Sequence, residues 1–347
     1  MIQVVRFTES ANKLEPRLAF RRYRLPFLHQ VRTSRGSWAV REGVYVRIER
    51  PDGTCGYGEA APVPGFGAES TDAVEAACLD LGDRVDAEAL MRLERSLPSL
   101  YNALSCALAG AGDAQPQRSL GVAALLPAGR AALAQAPLRG EQGFRVFKWK
   151  VGVGHADDEI AILDDLVAAV PSGSLFRLDA NGAWDRRLAS KWLSRASERP
   201  VEFVEQPIEA SGPRSDDTLL GLAADFPVPI ALDESIVSDG DVGLWLDRGW
   251  AGYFVVKASL LADPKAALER LARAKARVVF SSALETALGA KASLDLAFAW
   301  PGAKAALGFG VYPLFADARF DGPGGGPFIS SEETGRINPE ALWNALS

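Results

Sequence analysis

Histidine is nearly missing from this chain of 347 residues: His29 and His155 are the only two. Acid–base chemistry here is therefore expected to fall to Lys, Asp or Glu. Cysteine is also scarce. Cys55, Cys78 and Cys106 are odd in number and widely spaced, which suggests neither a disulfide framework nor a zinc site. A reducing, cytoplasmic setting fits that usage. No apolar run approaches the roughly 18 residues of a membrane span. The opening "MIQVVRFTESANKLEP" lacks a long apolar core, so no secretory signal is expected. Basic charge is the minority: 38 Lys and Arg stand against 44 Asp and Glu, a net of −6, with no dense basic run. That balance argues against a nucleic-acid partner. A G-x-G-x-x-G following a first strand is absent, which leaves a dinucleotide fold little support.

What is present is ordinary for a globular chain: 48% hydrophobic and 24% charged residues, enough for a large core in one or two domains. Two textures divide it. The first part begins with strand-like segments, "IQVVRF", "RLAFRRYRL" and "EGVYVRIER". The turn "PDGTCGYG" then predicts a hairpin into "GYGEAAP". Helical patterns follow, one over "TDAVEAACLDLGDRV" with Thr71-Asp72 as its cap and one over "LYNALSCALAGAG". Strands first and helices after read as α+β. From about residue 120, short apolar strands ending in polar residues alternate with amphipathic helices. The strands are "GVAALLP", "FRVFKWKVG", "LFRLDANG", "VEFVEQPI", "PIALDES", "GYFVVKAS", "RVVFSSAL" and "AALGFGVY". Seven or eight βα units in this length favour a closed barrel over an open parallel sheet. The Gly/Pro-rich "FDGPGGGPF" reads as a surface loop, and "SSEETGRINPEALWNALS" as a closing strand–turn–helix.

One strand is unusual. In "FRVFKWKVGVG" (144–154), alternation puts Val146, Lys148 and Lys150 on one face and Arg145, Phe147 and Trp149 on the other. Alone, a lysine face equally suits a solvated edge strand. In a βα barrel, however, active sites lie at the C-terminal strand ends, and this chain places Lys150, Asp179, Glu205, Asp233 and Lys257 on successive ends. Each acid also has a plain reading: Asp-Ala-Asn-Gly is a good turn, and Asp233 suits the entry to a helix. Together they are harder to dismiss. Three unpaired carboxylates converging in one cavity repel one another, and a hard divalent cation with oxygen ligands, Mg²⁺, removes the conflict.

With a cation there, the lysines acquire a use. A free lysine has a pKa near 10.4, so about one in two to three thousand is neutral at pH 7. Lys148 and a divalent cation beside Lys150 penalise its charged form. Lowering its pKa by about three pH units, roughly 4 kcal/mol, makes it a usable base. The expected chemistry is proton abstraction next to a carboxylate, giving an enediolate stabilised by the cation. Lys257 enters from the opposite side as a second acid/base or as a stabiliser of the anion. The expected partner is a small-molecule carboxylate, with no nucleic acid, membrane or obligate protein partner.

Lys-x-Lys on the second barrel strand, Asp, Glu and Asp on the next three and Lys on the sixth resemble the enolase superfamily, in its muconate-lactonizing branch. The resemblance implies a modified TIM barrel, (β/α)7β, over 113–310. It also implies an α+β capping domain over 1–112, completed by 311–347. Within the branch, "GYGEAAPVPGFGAES", "LYNALSCALAG", "RLDANGAW" and "FSSALETALG" are most similar to the o-succinylbenzoate synthase family, which acts in menaquinone biosynthesis. That likeness implies Mg²⁺ on Asp179, Glu205 and Asp233. It implies Lys150 as the base that also returns a proton to the departing hydroxyl in a syn-elimination, with Lys148 and Lys257 completing the catalytic set. The implied substrate is 2-succinyl-6-hydroxy-2,4-cyclohexadiene-1-carboxylate. Arg177, Asn181, Ser281, Ser282 and Glu285 are the implied substrate contacts, and the loops near 27–40 and 62–70 the implied selectors. Basic residues in "FLHQVRTSRGSW" suit a succinyl carboxylate, and equally a plain surface loop. N-acylamino-acid racemases and dipeptide epimerases carry the same lysines and acids. An Asp-x-Asp pair after "FSSALET", of the kind that grips a dipeptide amine, is not found, which favours the synthase. A non-catalytic barrel protein is the remote alternative; it would be expected to lack at least one of these groups.

Overall fold

A computed structural model describes residues 16–33, 36–67, 69–85, 87–110, 118–212 and 214–346. The strand expected at "IQVVRF" lies outside the described residues. The first layer is a three-stranded antiparallel sheet of β1 (Arg17–Thr33), β2 (Gly36–Glu49) and β3 (Cys55–Ala60). The β2–β3 hairpin forms where the "PDG" turn places it. Helices α1 (Thr71–Leu81), α2 (Ala87–Ser96) and α3 (Pro98–Ala109) follow. Val44, Val46 and Ile48 of β2 pack with Val74, Leu100, Ala103 and Leu104 into a separate apolar core. The cap of α1 is Ser70, whose hydroxyl accepts from Ala73 N, and not Thr71-Asp72 as expected. Ser70 has the extended backbone that an N-cap requires, and helix has already begun at Thr71. The stretch expected as a loop near 27–40 is instead largely strand, the far end of the β1–β2 pair, with a register shift between Pro26 and Val31.

The second unit starts with β4 (Ser119–Gly121), β5 (Ala124–Leu126) and α4 (Ala132–Glu141). Five strand–helix pairs come next: β6 (Val146–Lys150) with α5 (Ala156–Ala169), β7 (Leu175–Asp179) with α6 (Arg186–Ser197), β8 (Val201–Glu205) with α7 (Ser215–Asp225), β9 (Ile230–Leu232) with α8 (Asp239–Asp247), and β10 (Tyr253–Val256) with α9 (Pro264–Arg273). β11 (Arg277–Phe280) and α10 (Ala287–Ala299) end the alternation. Strands β5 to β11 pair in sequence order, all parallel. The sheet closes through residues 307–308. Leu307 and Gly308 pair with Val122 and Ser281, and Gly308 N donates to Phe280 O at 2.8 Å while Ala123 N donates to Leu307 O at 2.9 Å. The result is a modified TIM barrel with a cap. The chain then returns as β12 (Phe328–Ser330), which pairs with β4, and two short helices, α11 (Ser331–Gly335) and α12 (Pro339–Asn344).

Alternation sorts the barrel residues. Phe147, Trp149, Phe176, Leu178, Val204, Leu232, Phe254 and Phe280 face outward, into the core shared with Leu163, Leu166, Trp192 and Leu193 of the helices. Phe203, Ala231, Val255 and Val279 form a second, inner cluster. Two residues beyond each of these stand Glu205, Asp233, Lys257 and Ser281, which the same period turns inward at the C-terminal mouth.

The cap docks on that mouth. Glu59 of β3 is buried against the start of α10. It accepts from Thr286 N at 3.0 Å, Thr286 Oγ1 at 2.6 Å, Gly289 N at 2.8 Å and Tyr23 Oη at 2.5 Å. A carboxylate at a helix N-terminus satisfies free N–H groups and favours the helix dipole. From α3, Asn102 Nδ2 donates to Ala258 O at 2.9 Å, directly after Lys257.

Candidate active site

Adjacent parallel strands bring the site together. Lys150 is in register with Asp179, and Asp179 with Glu205. Asp233 follows β9, whose Ala231 pairs with Glu205, and Lys257 follows β10. Lys148 Nζ lies 2.7 Å from Glu205 Oε1 and 2.9 Å from Asp179 Oδ2. Lys257 Nζ is hydrogen-bonded to Asp233 Oδ1. Among the described residues the Lys150 ammonium has no ion pair or hydrogen bond. Asp179, Glu205 and Asp233 are 5%, 1% and 4% exposed, so their charges depend on one another more than on water.

The electrostatics follow. Burial alone would lower Lys148, but the charges of Asp179, Glu205 and Asp233 outweigh it and hold this ammonium well above the ordinary lysine value. Burial would likewise raise Asp179; Lys148 and Lys150 overcome that and keep it below the usual carboxylate value. One ammonium cannot serve two acids fully. Glu205 is pushed up to about 8, by burial first and then by repulsion from Asp179 and Asp233, against the pull of Lys148. Lys148 was expected to repel a proton from Lys150. Its ammonium also lies between the carboxylates of Asp179 and Glu205.

Among the described residues no three Asp, Glu, His or Cys side chains are grouped closely enough to hold a metal ion as they stand, and Lys148 and Lys257 lie among the carboxylates. The donor set nevertheless fits a hard divalent cation. Three buried oxygen donors lie on consecutive strand ends, and Glu205 carries repulsion that the lysines leave unrelieved.

Residues the sequence reading did not single out hold this arrangement. Glu159 of α5, 2% exposed, accepts from Gly152 N at 2.8 Å, Val153 N at 3.1 Å and Gly154 N at 3.0 Å, wrapping the loop that follows Lys150. Gln206, with φ +39°, accepts from Asp233 N at 3.1 Å and Ser235 N at 3.2 Å and donates to Ser235 Oγ at 2.8 Å. It ties the end of β8 to that of β9. Glu234 is pushed up to about 7, by burial and then by Asp233, with Lys257 opposing. Its Oε1 accepts from Asn181 Nδ2 at 3.1 Å, so Asn181 is brought to the cluster. The position of Glu234 beside Asp233, and Gln206 beside Glu205, is the one signal the sequence offered.

Of the expected substrate contacts, Ser281 reaches Gly308 O at 3.4 Å, and Ser282 Oγ donates to Glu285 Oε2 at 3.0 Å. Arg177 and Glu285 are buried and already hydrogen-bonded within the protein. Arg177 lies one inward step deeper in the barrel, pairs with Glu202 at 2.7 Å, donates to Ala306 O at 2.7 Å and stacks over Phe203. Glu285 is completely buried, and burial, with Glu59 adding to it, pushes it up to about 7 against the hydrogen bonds it accepts.

Two family models match the chain: "MenC, N-terminal domain" over 17–111 and "Enolase C-terminal domain-like" over 130–324. The o-succinylbenzoate synthase of Thermosynechococcus vestitus is 40% identical over 301 residues, 85% of this chain and 92% of that protein. The solved structure of o-succinylbenzoate synthase from Thermosynechococcus elongatus BP-1, complexed with Mg in the active site, superposes with a TM-score of 0.83 at 36% identity, covering 95% of this chain and 99% of that one. The L-Ala-D/L-Glu epimerase from Bacillus subtilis shares the fold, with a TM-score of 0.78 at 21% identity over 92% of this chain and 96% of that one.

Proposed function

The chain belongs to the o-succinylbenzoate synthase family of the enolase superfamily, and from that premise we infer how its residues carry out the reaction. It is a Mg²⁺-dependent carbon–oxygen lyase of menaquinone biosynthesis. It dehydrates 2-succinyl-6-hydroxy-2,4-cyclohexadiene-1-carboxylate to o-succinylbenzoate.

Asp179, Glu205 and Asp233 would hold Mg²⁺. Bound there, Mg²⁺ supplies positive charge for the substrate carboxylate as its α-proton leaves. Lys150 takes that proton, acting as the neutral amine, and becomes an ammonium. It returns a proton to the hydroxyl leaving from the same face, so a single residue serves as base and then acid in a syn-elimination. Lys257, on the far side of the carboxylates, steadies the enediolate by its charge. Lys148 favours the anionic forms of Asp179 and Glu205 and holds both in place. Asn181, Ser281 and Ser282 are the substrate contacts retained here, and Arg177 and Glu285 act behind the site. The cap spans 17–110 with the returning 328–346, and the barrel 119–308. The compartment is inferred to be the cytoplasm; among the described residues no helix is long and apolar enough to cross a membrane.

The observation that carries this assignment of roles is the inequality of the three lysines. Lys148 and Lys257 are tied to carboxylates, and the Lys150 ammonium is not. The test is a spectrophotometric assay of o-succinylbenzoate formation with Mg²⁺ and with EDTA. Turnover that survives EDTA refutes the metal role.

A further inference from the structure

Arg41 stands outside the carboxylate cluster, and the chemistry above does not use it. It lies on β2 and is 2% exposed. A guanidinium presents five N–H donors in a planar fork, and all five of Arg41 are spent on backbone carbonyls. Nε donates to Leu284 O at 3.0 Å, and Nη1 to Glu42 O at 3.1 Å and Pro62 O at 2.6 Å. Nη2 donates to Ala61 O, and to Ala283 O at 3.3 Å. The side chain thus joins two segments distant in sequence: 61–62, leaving cap strand β3, and 283–284, leaving barrel strand β11. Burying a charge costs heavily unless its hydrogen bonds are met, and here they are met only while both segments keep their places.

Segment 61–62 leads into a turn closed by Phe66 N, which donates to Val63 O at 2.9 Å. Val63 packs on Leu260 and Ala283, with Phe66 and Trp38 at the margin. The Phe66 ring ends over the Lys257 ammonium, 4.1 Å from Nζ to the ring centroid. Lys257 is therefore held by two partners, the Asp233 carboxylate and the face of Phe66.

We propose that Phe66 holds the Lys257 ammonium in its working rotamer through its ring face, and that Arg41 is a positioning residue that sets Phe66 by pinning the 61–67 loop to 283–284. This rests on the role given to Lys257 above. The ring face attracts the cation, and the fork of Arg41 fixes where the ring stands.

The test is steady-state dehydration kinetics of F66L, F66W, R41K and R41K/F66L, with Mg²⁺ affinity by calorimetry. Leu keeps the apolar contact without the ring, and Trp keeps the ring. F66L lowers kcat about 10-fold, with KM within about threefold and Mg²⁺ affinity unchanged, and F66W recovers most of the loss. R41K keeps the charge but not the fork; it lowers kcat comparably, and the double variant is no worse than the poorer single one. Wild-type kcat in F66L, equal losses in F66L and F66W, or additive losses in the double variant overturn the proposal. An R41K chain that does not fold overturns the assignment of Arg41, making it structural alone, while F66L and F66W still decide Phe66. An active wild type with unaffected variants sinks this proposal alone; an inactive wild type sinks the functional reading with it.

Discussion

Lys148 Nζ lies 2.7 Å from Glu205 Oε1, a contact that reaches across the intervening strand β7. It makes Lys148 the counter-charge of two buried acids, Asp179 being 2.9 Å away. Removing one partner of a buried ion pair commonly costs about 3–5 kcal/mol. Lys148→Met is expected to destabilise the metal-free chain by an amount of that order. Saturating Mg²⁺ should narrow the gap to wild type, because a cation held by Asp179 and Glu205 replaces the counter-charge that Lys148 supplies. Thermal unfolding in EDTA and in Mg²⁺ checks this; an equal loss in both media contradicts a shared electrostatic role.

The loop after Lys150 is held by the Glu159 carboxylate through three backbone N–H groups. Glu159→Gln keeps the shape but replaces one acceptor oxygen by a donor. It is expected to lower kcat about 10-fold, since hydrogen bonds to a charged group contribute about 1.5–3 kcal/mol, with Mg²⁺ affinity unchanged. Kinetics and calorimetry on the same preparation decide it. Unaltered kcat would show that Lys150 keeps its place without this anchor.

Glu285 provides a pH signature. Its carboxyl is raised from 4.5 to about 7 by burial first, with Glu59 adding to the effect. The folded chain therefore binds more protons than the unfolded chain between about pH 4.5 and 7. This contribution favours folding below that window and is lost as pH rises through it, by an amount on the order of 3 kcal/mol. Glu285→Gln should be about as stable as the wild type near pH 4.5 and more stable at pH 8. Denaturant unfolding across that range measures the difference; a variant less stable than wild type at pH 8 rules out a buried, penalised carboxylate.

Asp233 is hydrogen-bonded to Lys257 and stands two residues beyond Ala231, the register partner of Glu205. Asp233→Asn is expected to weaken Mg²⁺ binding at least about 100-fold, with the fold intact. Calorimetric titration tests this, and wild-type affinity in the variant removes Asp233 from the metal set.

Period-two patterning makes the inner face of the barrel legible in the sequence. Phe203, Ala231 and Val255 form the inner cluster, so the acid or lysine two residues later also points inward. Depth along a strand was not legible in the same way. Arg177 shares the inward face of Asp179, yet sits about 7 Å further down, where Glu202 takes its charge. Contacts between the two units were also out of reach. Arg41 meets Pro62 and Leu284, 21 and 243 residues away, and nothing local in the sequence marks such a pairing. The cap of α1 was missed by one residue because Ser70 and Thr71 both suit that role, and only backbone angles distinguish them.

The central claim is that Lys150 is the base and the magnesium site is independent of it. The most direct measurement is the kcat of Lys150→Ala at saturating Mg²⁺, paired with its Mg²⁺ affinity. The predicted result is a loss of at least about 10³-fold in kcat, with metal binding within a few-fold of wild type. Turnover retained at more than a few per cent of wild type would contradict it.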